Sequence, residues 1–184
     1  MASATGTRDE TEGAAEAAAR DPLAISPEVK ASLNLLIVDD DRTLREGCAS
    51  VLQLDGFNVT TLGRGDEAID LVKRRRFDII LVDLYMTPVS GMEILKATLA
   101  SHKDTIVIVM TGNPSVNTSI EALRAGAWDY LPKPFSATHL QVLVGRASHA
   151  VMVARETRDL KSQLLKKIES CRVLAVFELS YRLE

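Results

Sequence analysis

Three acidic side chains, a threonine and a lysine each stand at or just past the end of a short apolar run. Asp39 and Asp40 follow Leu35-Leu36-Ile37-Val38, Asp83 follows Ile79-Ile80-Leu81-Val82, Thr111 follows Val109-Met110, and Lys133 comes two residues after Leu131. Carboxylates gathered at one point repel one another, and such a cluster persists around a cation; hard oxygen ligands suit Mg²⁺. A lysine at the same edge can neutralise a further anionic oxygen, and a threonine hydroxyl can donate to it. Cation, ammonium and hydroxyl together could hold a transferring phosphoryl group. Whether these side chains meet depends on the elements that carry them.

The runs at 35–38, 77–82, 105–110 and 128–131 are apolar on both faces, as strands of a parallel sheet covered on each side must be. A weaker strand is expected at 58–62. Between them, Leu44, Cys48, Val51 and Leu52 recur at helical spacing, as do Ala68, Ile69 and Val72, then Met92, Leu95 and Leu99. Ile120 and Leu123 precede a stop at Gly126, and a last helix begins near Ser136. Five β-then-α units with right-handed crossovers predict an α/β fold, a doubly wound five-stranded parallel sheet. Ligands of such sheets bind outside the carboxyl ends of the strands, which is where the five polar residues fall.

At this point four blocks resemble a known family. Val38-Asp39-Asp40-Asp41, Val82-Asp83-Leu84-Tyr85-Met86 with Gly91 eight residues after Asp83, Met110-Thr111-Gly112, and Tyr130-Leu131-Pro132-Lys133-Pro134-Phe135 look like the receiver domain of two-component response regulators. The likeness covers residues 34–147 and implies a flavodoxin-like receiver fold. It implies that Asp83 receives a phosphoryl group from a sensor histidine kinase or phosphotransfer protein. It implies that Asp39, Asp40 and Asp83, with the backbone carbonyl of Tyr85, hold Mg²⁺. Lys133 matches the lysine that pairs with a phosphoryl oxygen, Thr111 the hydroxyl that moves toward it, and Tyr130 the aromatic that turns inward behind. The face made by the fourth helix, fifth strand and fifth helix of the repeat would then change shape for a downstream protein or a second copy. Catalysis would be limited to the chain's own phosphorylation and dephosphorylation. Two departures stand out: Thr87 occupies the place where the family usually has proline, with Pro88 next, and Gly112 replaces a more usual alanine. Tyr85 and Asn113 hold the positions that tune phosphate lifetime, and a bulky Tyr85 is expected to obstruct an attacking water.

Other signals in the chain carry less weight. Leu35 to Leu44 also resembles the first motif of haloacid-dehalogenase-type phosphatases, with Asp39 as nucleophile and Asp41 as acid. Arg42 stands where that motif has glycine, no acidic pair follows the fourth strand, and Asp83 is left without a role. His149 reads as a surface residue, since no second helical hairpin accompanies it. Lys73-Arg74-Arg75-Arg76 ends the second helix, where positive charge is favourable.

Domain organisation follows from composition. Residues 1–32 are rich in Ala, Glu and Thr and are expected to be disordered, with Pro22 and Pro27 stopping any helix from spreading. The receiver is expected at 33–147 and a helical extension at 148–184, reaching about residue 170 and serving as a dimerising segment or as the linker of a longer transcription regulator. Its small residues and Lys161 make a poor heptad seam. With a net charge of −3, spread as six acids and three bases in 1–30, fourteen and eleven in 31–144, and five and eight in 145–184, direct nucleic-acid binding is not expected. There is no helix-turn-helix pattern, no secretory signal and no run of about 18 apolar residues to span a membrane. Cys48 and Cys171 lack metal-type spacing, and Cys48 lies on an apolar stripe, which fits a cytoplasmic protein.

Overall fold

The computed structural model describes residues 25–181, and the side chains of residues 25–168. Two compact units divide the chain, the first ending at His149 and the second beginning at Ala150. The elements run α1 (Pro27–Ser32), β1 (Asn34–Val38), α2 (Arg42–Leu54), β2 (Asn58–Leu62), α3 (Gly65–Arg74), β3 (Ile79–Asp83), α4 (Gly91–Ser101), β4 (Ile106–Thr111), α5 (Val116–Arg124), β5 (Asp129–Pro132) and α6 (Ala137–Tyr181). All five strands are parallel, in the order β2-β1-β3-β4-β5. That order reverses beside β1, the switch point at which doubly wound sheets of the flavodoxin-like kind bind ligands.

Strand periodicity divides the core. Leu36, Val38, Ile80, Val82, Val107 and Val109 point to one face, where Ala68 and Val72 of α3, Ile94 and Leu95 of α4 and Ala122 of α5 cover them. The alternate residues Leu35, Ile37, Ile79, Leu81 and Ile108 are fully buried as well. Burying each such side chain contributes about 1.5–3 kcal/mol. The central strands are therefore the best-anchored part of the sheet, and the site residues continue directly from their ends.

Several expectations need correction. The disorder expected for residues 1–32 does not extend to 27–32, which form α1; residues 1–24 lie outside the described part. Pro27 occupies the first turn of α1, where its missing N–H costs nothing, and the stretch it was expected to keep from spreading lies outside the described residues. Lys30 ties this helix down through an ion pair with Asp55 at 2.7 Å and a place 5.6 Å over the Phe57 ring. The last helix passes residue 170 and ends at Tyr181. Ile120 and Leu123 of α5 are exposed, and Ala122 is the residue that α5 buries. The basic run 73–76 straddles the end of α3: Arg75 already has extended backbone and stacks 4.9 Å over Phe77, and Arg76 lies 3.9 Å from Asp104. The stop at Gly126 is present, with φ of 102° that a side chain would resist.

Candidate functional site

Each site residue is delivered by the end of a strand or by the turn after it. Asp39 follows Val38, which pairs with Val82 of β3; Asp83 pairs with Met110 of β4; Thr111 pairs with Pro132 of β5. Register thus sets Asp39, Asp83, Thr111 and Lys133 along one edge. The backbone N–H of Lys133 donates to the Thr111 carbonyl at 2.7 Å, which joins the turn after β5 to the end of β4.

Asp39 is fully buried and held on all sides. Its Oδ1 accepts from the Asp41 N–H at 2.9 Å and its Oδ2 from Lys133 Nζ at 2.7 Å. Asp41 in turn caps α2, its Oδ1 accepting from the N–H groups of Thr43 and Leu44. Lys133 Nζ also lies 3.3 Å from Asp83 Oδ1, an oxygen that is buried and accepts no hydrogen bond from any described group. Burial pushes the Asp39 carboxyl up, against the opposing pull of Lys133, and the charge of Asp83 adds to the rise. For Lys133 burial works to lower the value, but the hydrogen bond and charge of Asp39, with Asp83 behind, outweigh it and hold the ammonium up.

Asp39, Asp40 and Asp83 each offer an oxygen, and the three lie within 4.8 Å of one another. An all-oxygen donor set of this compactness, with a buried carboxylate oxygen that accepts no hydrogen bond from any described group, fits a small hard cation such as Mg²⁺. Asp40 is exposed, so the cluster opens to solvent on that side. Gly91, noticed in the sequence only as a spacing, is a steric requirement here. A Cβ at this position would stand 2.1 Å from the Asp83 carbonyl oxygen, and the Gly91 N–H donates to the Leu84 carbonyl at 3.2 Å.

The remaining expected residues are nearby but differently engaged. Thr111 is buried, and its hydroxyl accepts from the Asn113 N–H at 3.2 Å, so it serves its own loop. Tyr130 is half-buried against the core, and its hydroxyl lies 3.3 Å from Thr118 Oγ1 on α5. The Tyr85 side chain is half exposed. Asp41, the acid of the phosphatase reading, is occupied as a helix cap. The sequence reading missed Arg45, whose Nη1 donates to the Asp39 carbonyl at 2.5 Å; an arginine one helical turn past an acidic pair carries no signal of its own. Beside α2 and the start of α6, Thr43, Leu44, Cys48, Val51, Phe135 and Leu140 line a cavity of about 430 Å³. Burial, with the charge of Asp39, pushes the Cys48 thiol up to about 11.

A 2-1-3-4-5 parallel sheet whose strand ends carry a carboxylate trio and a lysine defines a switch-type α/β domain. Residues 35–145 match the response regulator receiver domain, and the chain belongs to that family. A putative NtrX-like response regulator of Rickettsia felis is 29% identical over 154 residues, 83% of this chain and 32% of the relative. The regulatory protein LuxO of Vibrio vulnificus is 39% identical over 111 residues, 60% of this chain and 24% of the relative. Among solved structures, NtrX from Brucella abortus superposes with a TM-score of 0.65 at 27% identity, covering 70% of this chain and 30% of that one. The chain thus spans a third or less of the length of these relatives. No helix among the described residues is long and apolar enough to cross a membrane.

Proposed function

We propose that this receiver domain is a phospho-switch in which Asp83 accepts a phosphoryl group from a phosphohistidine on a sensor kinase or phosphotransfer protein. A carboxylate oxygen of Asp83 attacks phosphorus, the donor's P–N bond breaks, and the leaving imidazole nitrogen keeps the electron pair. The observation that carries this reading is the Lys133 ammonium, 2.7 Å from Asp39 Oδ2 and 3.3 Å from an Asp83 Oδ1 that accepts no hydrogen bond. That oxygen is open for bonding, and the ammonium beside it can follow the charge onto the phosphoryl oxygens.

Asp39, Asp40 and Asp83, with the Tyr85 carbonyl, would hold Mg²⁺. When bound, the ion neutralises the acidic cluster and the incoming phosphoryl oxygens. Lys133 binds one phosphoryl oxygen. Thr111 gives up its place in its own loop to donate to another, and the loop moves inward with it. Tyr130 then leaves Thr118 and turns in, which alters the face formed by α5, β5 and α6. A partner that binds only the altered face reads the signal and, by linkage, favours phosphorylation.

The test is phosphoryl incorporation from acetyl phosphate with Mg²⁺. Wild type should take up acid-labile phosphate, and Asp83→Asn should take up none; incorporation into Asp83→Asn would reject the assignment. A second reading extends the first: because the relatives are three to four times the length of the matched part, this receiver with α6 would be the regulatory portion of a longer transcription regulator, its helix the connector.

A further inference from the structure

The acidic pair is held from behind by a device that the switch chemistry does not use. β1 ends at Val38, whose pairing with Leu62 and Val82 is the last of the ladder on both sides. The Asp39 carbonyl therefore has no strand to donate to it. Arg45 supplies the missing donor, reaching back from the first turn of α2 to place Nη1 2.5 Å from that oxygen. The backbone N–H of Arg45 donates to the Asp41 carbonyl at 3.0 Å, and the Asp41 N–H donates to Asp39 Oδ1 at 2.9 Å. Asp39, Asp41 and Arg45 thus form a closed clasp.

The carbonyl oxygen that Arg45 grips belongs to the peptide joining Asp39 to Asp40. That peptide is planar, so fixing its oxygen fixes the plane from which Asp40 is suspended. Asp40 is exposed, so the plane of this peptide is what sets where it starts from. Across the clasp stands Gly63, just past β2. A Cβ at Gly63 would lie 3.0 Å from Arg45 Nη1 and 3.2 Å from its Cζ, so the absent side chain leaves the guanidinium its seat. The obstructed atoms are the end of a flexible side chain, so an alanine here would push the guanidinium a few tenths of an ångström off its seat and leave the backbone in place.

We infer that Arg45, seated in the space left by Gly63, is a positioning residue that aims the Asp39–Asp40 pair at the cation. The inference rests on reading the acidic cluster as a Mg²⁺ site. The test is calorimetric titration of MgCl₂ into the whole chain. Groups that orient metal ligands typically contribute about 10–100-fold in affinity, so Arg45→Ala should weaken Mg²⁺ binding about tenfold, the low end of that range. Arg45→Lys, which keeps a donor, should weaken it less. Gly63→Ala should weaken it too, and should add nothing on the Arg45→Ala background, because both changes act through one contact. Phosphoryl incorporation in Arg45→Ala should recover at saturating Mg²⁺, which a purely structural role would not give. Mg²⁺ affinity of Arg45→Ala equal to wild type, or additive effects of the two substitutions, would overturn the clasp. If Arg45→Ala does not fold, Arg45→Lys and Gly63→Ala decide by the same readout. Asp40→Asn keeps the two questions apart. Normal binding in that variant, or none in wild type, rejects the Mg²⁺ site itself, whereas loss there with normal binding in Arg45→Ala rejects the clasp alone.

Discussion

At the end of β1, Asp39 is buried and each of its polar groups has a partner: its N–H donates to the Leu62 carbonyl, its carbonyl accepts from Arg45, and its two carboxylate oxygens accept from Asp41 and Lys133. At the end of β4, Thr111 is just as buried, yet every residue from 112 to 117 is exposed. The helices that follow differ in the same sense. α2 buries Cys48, Ala49 and Leu52, whereas α5 buries Ala122 and leaves Val116, Ile120 and Leu123 in solvent. Local stability follows buried contacts, so one side of the site is anchored and the other is cheap to move. A switch needs both: fixed groups that define where the charge goes, and a loop whose rearrangement costs little enough to be driven by it.

The largest effect should come from disturbing the anchored side. Gly91→Ala would force a Cβ to within 2.1 Å of the Asp83 carbonyl oxygen and 2.8 Å of its carbonyl carbon. Those are backbone atoms that cannot rotate aside, so the β3–α4 turn must shift as a whole. Overpacking of this kind costs about 1–3 kcal/mol, and backbone contact places it at or above the upper end. Urea unfolding should show a loss of about 3 kcal/mol with an unchanged slope. A midpoint equal to wild type would mean that the anchored side yields as easily as the other.

Next in size is a chemical probe of the same side. Cys48 lies on α2, 4% exposed, with its thiol pushed up to about 11 by burial first and the charge of Asp39 second. Since an ordinary thiol ionises near 9, the thiolate at pH 8 is depleted about a hundredfold, and alkylation by iodoacetamide should slow by at least that factor relative to a free peptide cysteine. The sign with pH is fixed: a raised value means that the neutral thiol prevails up to about 11, so the rate should climb steadily from pH 7 to 10 without a plateau. A rate that levels off near pH 10, as for an ordinary thiol ionising near 9, would show that α2 opens readily and the contrast fails.

Much of this was legible in the residues themselves. The apolar runs and the polar residues ending them fixed the strand ends, because a covered parallel sheet allows few other reasons for such a pattern. What escaped had no pattern to read. α1 escaped because Pro27 is equally good as a helix stop or a first-turn residue, and the deciding contacts of Lys30 with Asp55 and Phe57 are long-range. Ile120 and Leu123 mark a helix by their spacing but not its buried face; which face a helix turns inward is set by its neighbours, and here Ala122 fills the space. Arg45 and Gly63 are far apart in sequence and meet only across the end of β2.

A smaller change is expected at the mouth of the site. Tyr85, half exposed two residues past Asp83, would stand between water and the phosphorylated carboxylate. Tyr85→Asn should shorten the phosphorylated state several-fold, followed as loss of acid-labile phosphate after removal of the donor. An unchanged decay would place control of lifetime on the Asn113 side instead.

The smallest effect on stability belongs to the movable side, where it is the most informative. Ile120 and Val116 of α5 are 42% and 74% exposed, so replacing both with serine removes only part of each side chain's burial and should cost about 1–2 kcal/mol, less than Gly91→Ala. The same double variant changes the face that Tyr130 and α5 share, where the Tyr130 hydroxyl lies 3.3 Å from Thr118. If that face reads out the switch, the variant should take up phosphate from acetyl phosphate at the wild-type rate while losing phosphorylation-dependent association with its partner or with a second copy, measured by light scattering with beryllofluoride. A loss of about 3 kcal/mol or more would show that α5 is anchored after all, since the partial burial of these two side chains could not account for it.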